Sequence, residues 1–286
     1  MNPLVNQDHL HAGKLSVLIP VYNEEKTASE IITRVLALGA VVKEIIIVDD
    51  GSTDRTAEIL RARVANEPKC HFHAMPENGG KTSAIRKALE LATGEIIIIQ
   101  DADLEYDPAE IPDVIAPILN GFADVAFGSR FLVRKAARVL YFRHYLANML
   151  LTFLSNLLTN RNMTDIETCY KSFRAEVIKP LKLTSKGFGM EVEITALICK
   201  TKARTYEVPI SYYGRSYEEG KKIDFMDGVA ALWYIGYYNL VKPWFGSARR
   251  YVREVNAALD KRAAVELPAF GTPAIPQVEP TVSTVG

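Results

Sequence analysis

The sequence predicts an α/β fold built on a mostly parallel, Rossmann-like sheet, and three observations predict it. Between Lys14 and about Asp124, short β-branched runs alternate with longer segments of mixed polarity at helical spacing. The runs are too continuously apolar for strands with one solvated face. The residues best equipped for chemistry follow the runs directly, where ligands of such sheets bind.

The runs are Leu15 to Ile19, Glu44 to Val48, Cys70 to His73, Glu95 to Ile99 and Asp124 to Phe127, all expected as buried parallel strands. Between them Glu25 to Ala37, Asp54 to Ala65, Lys81 to Ala92 and Ala109 to Asn120 carry the helical period, with Asp54 and Pro108 suited to helix starts. From Val125 to Thr164 no acidic residue occurs, while Arg130, Arg134, Lys135, Arg138, Arg143 and Arg161 give a local charge of +6. An anion or an anionic surface is the natural partner, and a solvated basic face is the alternative. Leu140 to Leu158 reads as a strongly apolar helix interrupted by His144, Asn148 and Asn156. It falls short of the roughly 20 apolar residues of a membrane span, so an interfacial or core helix is expected. Phe225 to Val241, rich in Trp and Tyr, suits either a membrane interface or a core-packed helix. After Arg262 the chain turns to Ala, Val, Thr and Pro without periodicity. The expected organisation is a flexible 1–13, one domain over 14–246 with halves 14–128 and 129–246, then a helix end and disordered tail over 247–286.

Composition narrows the function. With 34 basic and 34 acidic side chains in 286 residues, the chain lacks the basic excess of nucleic-acid-binding proteins, so no nucleic-acid partner is expected. Cys70, Cys169 and Cys199 show neither disulfide nor zinc spacing, which fits a reducing cytoplasm. No apolar run marks a signal peptide at the start. The glycine patterns of dinucleotide-binding folds and P-loops are absent, as is Gly-x-Ser-x-Gly.

Four strand-end junctions stand out: Pro20-Val-Tyr22-Asn-Glu24, Asp49-Asp50-Gly51-Ser52, Gln100-Asp101-Ala102-Asp103 and Gly128-Ser129-Arg130. Singly, each also reads as a turn or helix cap. Asp101 and Asp103 can point to one side once the chain leaves the sheet, where they repel unless a cation sits between them. Neighbouring oxygen donors favour Mg²⁺ or Mn²⁺. Asp50 with Ser52 can accept from a base or ribose, Tyr22 can pack on a base, and Lys81 after Gly79-Gly80 can neutralise phosphate oxygens.

In that order, Pro-Val-Tyr-Asn-Glu-Glu, Val-Asp-Asp-Gly-Ser-Thr-Asp, Asn-Gly-Gly-Lys, Asp-Ala-Asp-Leu-Glu and Gly-Ser-Arg resemble the family 2 glycosyltransferases of GT-A fold. Within them the chain looks like the polyprenyl-phosphate (dolichyl-phosphate mannosyltransferase) subgroup. The resemblance covers about Leu15 to Ile223, and Asp165 to Phe173, Glu207 to Ile210 and Gly214 to Lys221 are its more specific stretches. It implies a GT-A nucleotide-diphospho-sugar transferase fold with a C-terminal acceptor region and amphipathic helices. It also implies that Pro20, Tyr22, Glu24 and Asp50 hold the nucleotide, while Asp101, Asp103 and Glu105 hold the metal. Glu105 stands where the subgroup often has Gln. Arg130, Arg215 and Lys221 are implied ligands of the acceptor phosphate, with Arg138, Arg143 and His144 as further candidates. The Gln-x-x-Arg-Trp motif of processive synthases is missing, which favours single transfer.

The implied activity is inverting transfer of one sugar, mannose from GDP-mannose foremost, onto a polyprenyl or dolichyl phosphate, with Asp103, Arg130 and Arg215 catalytic. UDP-glucose or UDP-N-acetylglucosamine donors, a soluble acceptor, and a non-catalytic nucleotide-sugar-binding protein are the alternatives. A phosphate acceptor is already ionised near neutral pH, its second pKa being about 6, so cationic positioning replaces a general base. Gly214 to Lys222 is expected as a mobile loop over the donor. Glu191 and Glu193, i and i+2 on a helix, face apart and are given no role. A peripheral place on the cytoplasmic face of a membrane, with an anchoring partner, completes the expectation.

Overall fold

The computed structural model describes residues 12–132, 138, 141–215, 218 and 225–266. Arg134, Lys135, Lys221, residues 1–11 and the tail after 266 lie outside the described residues. Seven strands form one sheet: β1 Leu15–Val21, β2 Val42–Asp49, β3 Cys70–Ala74, β4 Ile96–Ile99, β5 Val125–Ser129, β6 Lys171–Arg174 and β7 Thr205–Pro209, in the order β3-β2-β1-β4-β6-β5-β7. The helices are α1 Ala28–Leu36, α2 Thr56–Val64, α3 Lys81–Leu91, α4 Ile111–Leu119, α5 Phe142–Thr159, α6 Ala175–Ile178, α7 Met190–Ile198, α8 Phe225–Gly236 and α9 Gly246–Glu266.

The continuous apolar runs are explained by two cores, one on each face of the sheet. Leu18, Ile46, Val48, Ile97 and Ile99 join α3, α7 and α9 in one. Val17, Ile19, Ile45, Ile47, Ile96 and Ile98 join α1 and α4 in the other. Successive residues point to opposite faces, so a strand covered on both must be apolar at every position.

The expectations for β3 and for the chain after 246 need correction. The five expected strands run parallel to one another, but β6, which the sequence reading did not name, lies antiparallel between β4 and β5. Its sequence, Lys-Ser-Phe-Arg, looks like surface, yet all four residues are buried. Each polar side chain carries its own partner inward. Lys171 Nζ donates to the Ile166 carbonyl at 2.7 Å, Ser172 Oγ to the Ala126 carbonyl at 2.9 Å, and Arg174 Nη2 to the Ile118 carbonyl at 3.0 Å. Such pairing removes the cost of burying them. Next, β3 is an end strand, half-exposed, since only β2 flanks it. Finally, α9 is a full helix whose Ala248, Tyr251, Val255 and Leu259 bury one face, so the packed chain extends beyond 246.

Because β4 and β5 both run antiparallel to β6, β5 points the same way as β1, β2 and β4. All four junctions therefore open at one sheet edge, as the sequence predicts. At that edge α5 and α8 lie against each other. No helix of the described residues is long and apolar enough to cross a membrane. Their outer surfaces nonetheless show Phe142, Leu150, Phe153, Leu157, Met226 and Trp233 to solvent.

Candidate active site

A cleft of about 870 Å³ opens over the strand ends, lined by residues from the first, second and third junctions, by Arg130, and by α5 and α8. One wall is built by two loops in close contact. The Asp50 carboxylate accepts the backbone N–H groups of Gly79 at 3.0 Å and Gly80 at 2.7 Å. Gly51 sits at φ +69°, and a Cβ there would come within 2.7 Å of the Glu77–Asn78 backbone, so only glycine fits. Burial pushes the Asp50 carboxyl up, and the two amides work against that shift. Ser52 Oγ donates to Asp49 and accepts the Asn23 N–H at 2.9 Å, which ties the first junction to the second. Pro20, Tyr22 and Glu24 line the cleft beside them, whereas Ser52 does not.

At the floor, Lys81 opens α3 and is almost fully enclosed. Its Nζ lies 2.9 Å from Asp101 Oδ1, 3.1 Å from Glu191 Oε1 and 3.0 Å from Cys169 Sγ. Burial opposes its charge, but Asp101, Cys169 and Glu191 outweigh it and hold the ammonium well above the usual lysine range. The sequence assigned Lys81 to phosphate oxygens; the fold commits it to carboxylates.

Asp103 is pushed up to about 7 by burial and by the charges of Asp101 and Glu105, with Arg215 pulling the other way. The Arg215 Nη2 group reaches Asp103 and Glu24, both at 3.2 Å. The Glu105 carboxylate accepts the Tyr212 hydroxyl and the Arg215 backbone N–H, each at 2.8 Å. Among the described residues no group of three or more His, Cys, Asp or Glu side chains is arranged to hold a metal. The expected ligand trio of Asp101, Asp103 and Glu105 is thus not assembled.

The Arg130 guanidinium sits in a bidentate pair with Asp165, Nε to Oδ2 at 2.6 Å and Nη2 to Oδ1 at 2.8 Å, and lies 5.0 Å over the Tyr212 ring. Asp165 is wholly buried. From α5, Arg143 and His144 reach the cleft wall. Arg138 does not line the cleft; its Nη1 donates to the Gly214 carbonyl at 3.2 Å.

Sequence reasoning gave no role to several cleft residues, namely Glu167, Cys169, Glu191 and Tyr212. Glu191 and Glu193 do face apart as expected, but with different consequences. Glu193 accepts the N–H groups of Thr184 and Ser185 at 2.8 Å, a structural tie, while Glu191 turns into the cleft. The signal in the sequence was Gly187-Phe-Gly189 just before α7, a backbone that packs against the start of α3, where Thr82 Oγ1 donates to the Gly187 carbonyl at 2.9 Å.

Residues 16–181 match the family model described as glycosyl transferase family 2. The chain belongs to that family. It is 30% identical over 84% of its length to a dolichol-phosphate mannosyltransferase of Pyrococcus furiosus, covering 67% of that protein. It is 32% identical over 72% of its length to an undecaprenyl-phosphate 4-deoxy-4-formamido-L-arabinose transferase of Edwardsiella ictaluri, covering 62% of that protein. The chain therefore spans between half and two thirds of the curated relatives it matches. Among solved structures, glucosyl-3-phosphoglycerate synthase of Mycobacterium tuberculosis, with Mn²⁺ and UDP-glucose, superposes with a TM-score of 0.63 at 18% identity, covering 82% of this chain and 81% of that one. The likeness establishes the shared GT-A architecture.

The donor set suits a divalent cation. Lys81 and Arg215 stand within ion-pairing distance of Asp101, Glu191, Glu24, Asp103 and Glu105, five carboxylates against two cations. That excess of buried negative charge, carried on hard oxygen atoms, is what Mg²⁺ or Mn²⁺ neutralises.

Proposed function

We propose that this chain transfers a single sugar from a nucleotide diphosphate sugar to a polyprenyl phosphate, with inversion at the anomeric carbon. The observation that carries the reading is the division of one cleft into two charges. Carboxylates gather at the end of β4, and the Arg130 guanidinium stands at the end of β5, beside the apolar helices α5 and α8. The printed names of both curated relatives, each a transferase acting on a polyprenyl phosphate, support the acceptor class. Mannose from GDP-mannose is the donor favoured by the Pyrococcus relative; a UDP-sugar is the second reading, favoured by the UDP-glucose in the mycobacterial structure.

In this reading Pro20, Tyr22, Glu24 and Asp50 bound the nucleotide, and Asp101 and Asp103 would hold Mg²⁺ or Mn²⁺, which supplies charge neutralisation for the departing diphosphate. Arg130, fixed in orientation by Asp165, aligns the acceptor phosphate, with Arg143 offering a second cation from α5. No general base is required, because a phosphate monoester reaches the cleft already ionised. Arg215 bridges Glu24 and Asp103, so it ties the carboxylates that follow β1 and β4 to each other. The exposed apolar side chains of α5 and α8 support a peripheral place on an anionic membrane surface, where a lipid phosphate enters without leaving the bilayer.

Radiolabelled GDP-mannose, UDP-glucose and UDP-N-acetylglucosamine, each offered with polyprenyl phosphate and Mg²⁺ or Mn²⁺ in detergent, test the proposal. Organic-phase label from one donor supports it and names the sugar. Absence of lipid label from every donor, with the protein folded and binding a nucleotide sugar, refutes the lipid acceptor.

A further inference from the structure

Two carboxylates at the floor of the cleft take no part in the mechanism above. Glu191 is 2% exposed, and its Oε1 is held by Lys81 at 3.1 Å. Its Oε2 is buried without a hydrogen-bond partner among the described residues. Glu167 Oε1 is likewise buried and unpartnered. Both residues line the cleft. A buried carboxylate oxygen left unpaired has lost its hydration without gaining a bond, so a fold that keeps two of them in a ligand cleft is built for a donor that arrives with the ligand.

The chemistry of that donor is restricted. A phosphate or diphosphate oxygen is repelled by carboxylates, so neither the leaving group nor the acceptor headgroup can lie there. An amine would be drawn to this place, but Lys81 already supplies the ammonium between Asp101 and Glu191. Neutral hydroxyl groups remain, and they come in close-set rows on a pyranose ring. The carboxylates have two settings suited to such a row. Glu191 gives one oxygen to the Lys81 ammonium at 3.1 Å and keeps Oε2 to accept. Glu167 is pushed up to about 7 by burial and by the charge of Glu191, so near neutrality it can also donate.

We infer that Glu191 and Glu167 form the subsite that recognises the hydroxyl groups of the donor sugar, and that Lys81 couples this subsite to the diphosphate side through Asp101. The inference rests on the donor reading proposed above and adds the residues that select the sugar. It also explains the depth of the Lys81 site: one ammonium fixes both the carboxylate that faces the diphosphate and the carboxylate that faces the ring. A polar site made to pair with a substrate hydroxyl discriminates strongly, because an analogue lacking that group leaves the carboxylate unpaired again.

Calorimetric titration with Mn²⁺ present tests this, using GDP, GDP-mannose, UDP, UDP-glucose and UDP-N-acetylglucosamine on the wild type, Glu191→Gln and Glu167→Gln. The expected result is that the wild type binds one nucleotide sugar more tightly than its bare nucleotide. Each variant should lose about tenfold or more of that preference; the affinity of Glu167→Gln for the bare nucleotide should stay within twofold, which also certifies its fold, and an unaltered far-UV circular dichroism spectrum certifies that of Glu191→Gln. Variants that keep the full preference overturn the subsite and leave the donor reading standing. A wild type that binds a nucleotide sugar no better than its nucleotide overturns the subsite as well. A wild type that binds none of the five overturns the donor reading and the subsite together.

Discussion

Replacing Asp165 with Asn should separate the stability of the cleft from its chemistry. The wild-type carboxylate is fully buried and holds Arg130 by two bonds of 2.6 and 2.8 Å; it also accepts the Arg130 backbone N–H at 3.2 Å and Asn148 Nδ2 at 3.3 Å. Asparagine keeps the volume but removes the charge and turns one acceptor into a donor facing a guanidinium that is itself only 14% exposed. Losing one partner of a buried pair costs about 3–5 kcal/mol, because the other charge remains uncompensated. For a chain of this size each kcal/mol lowers Tm by about 2–4 °C, so a drop of roughly 6–20 °C is expected in differential scanning calorimetry. Removing both charges in Arg130→Met/Asp165→Leu should recover most of that loss, since the uncompensated ion is gone. Under the proposed function, transfer to polyprenyl phosphate should be abolished in the double variant, because the cation assigned to the acceptor phosphate is missing. The reasoning fails if Asp165→Asn costs less than about 1 kcal/mol, or if the double variant is no more stable than the single.

Three further outcomes are expected. The Asp103 carboxyl is raised from 3.8 to about 7, so the folded state binds its proton more tightly than the unfolded chain, and stability of the metal-free protein falls as pH rises across that window. Urea titrations in EDTA between pH 4 and 8 should show the fall, and Asp103→Asn should flatten it; an unchanged slope in the variant rules the assignment out. Gly51→Ala places a Cβ 2.7 Å from the Glu77–Asn78 backbone at a φ of +69°, and should cost about 1–3 kcal/mol in urea unfolding, whereas a neutral effect would mean the loops part freely. Trp233 on α8 and Phe153 on α5 are 69% and 62% exposed, so the change of either to Glu should leave Tm unaltered yet weaken sedimentation with phosphatidylglycerol vesicles severalfold. Equal sedimentation of variant and wild type would remove α5 and α8 from the membrane contact.

The four strand ends were legible because each rule involved is local. A strand covered on both faces must be apolar throughout, as in Ile96–Ile99, and the chain must turn directly after it, as at Gln100 to Asp103. The same local logic placed α5 within two residues and kept Glu191 and Glu193 on opposite sides of α7. It could not see β6, because Lys171, Ser172 and Arg174 read as solvated until their carbonyl partners are brought beside them from 166, 126 and 118.

Charge partners were hidden for the same reason. Lys81 and Asp101 are 20 residues apart and Lys81 and Cys169 are 88 apart, so no spacing rule connects them. The family resemblance gave Glu105 to a metal shared with Asp103, yet the Tyr212 hydroxyl and the Arg215 backbone claim its carboxylate from more than 100 residues away. By itself the sequence determined the first five strands, the helices between them, and which edge of the sheet bears the chemistry. The tertiary structure decided which charge neutralises which and which carboxylates stay free for a ligand. Periodicity and turn chemistry act between neighbours in the chain, whereas Coulomb pairing and desolvation depend only on distances that the completed fold creates.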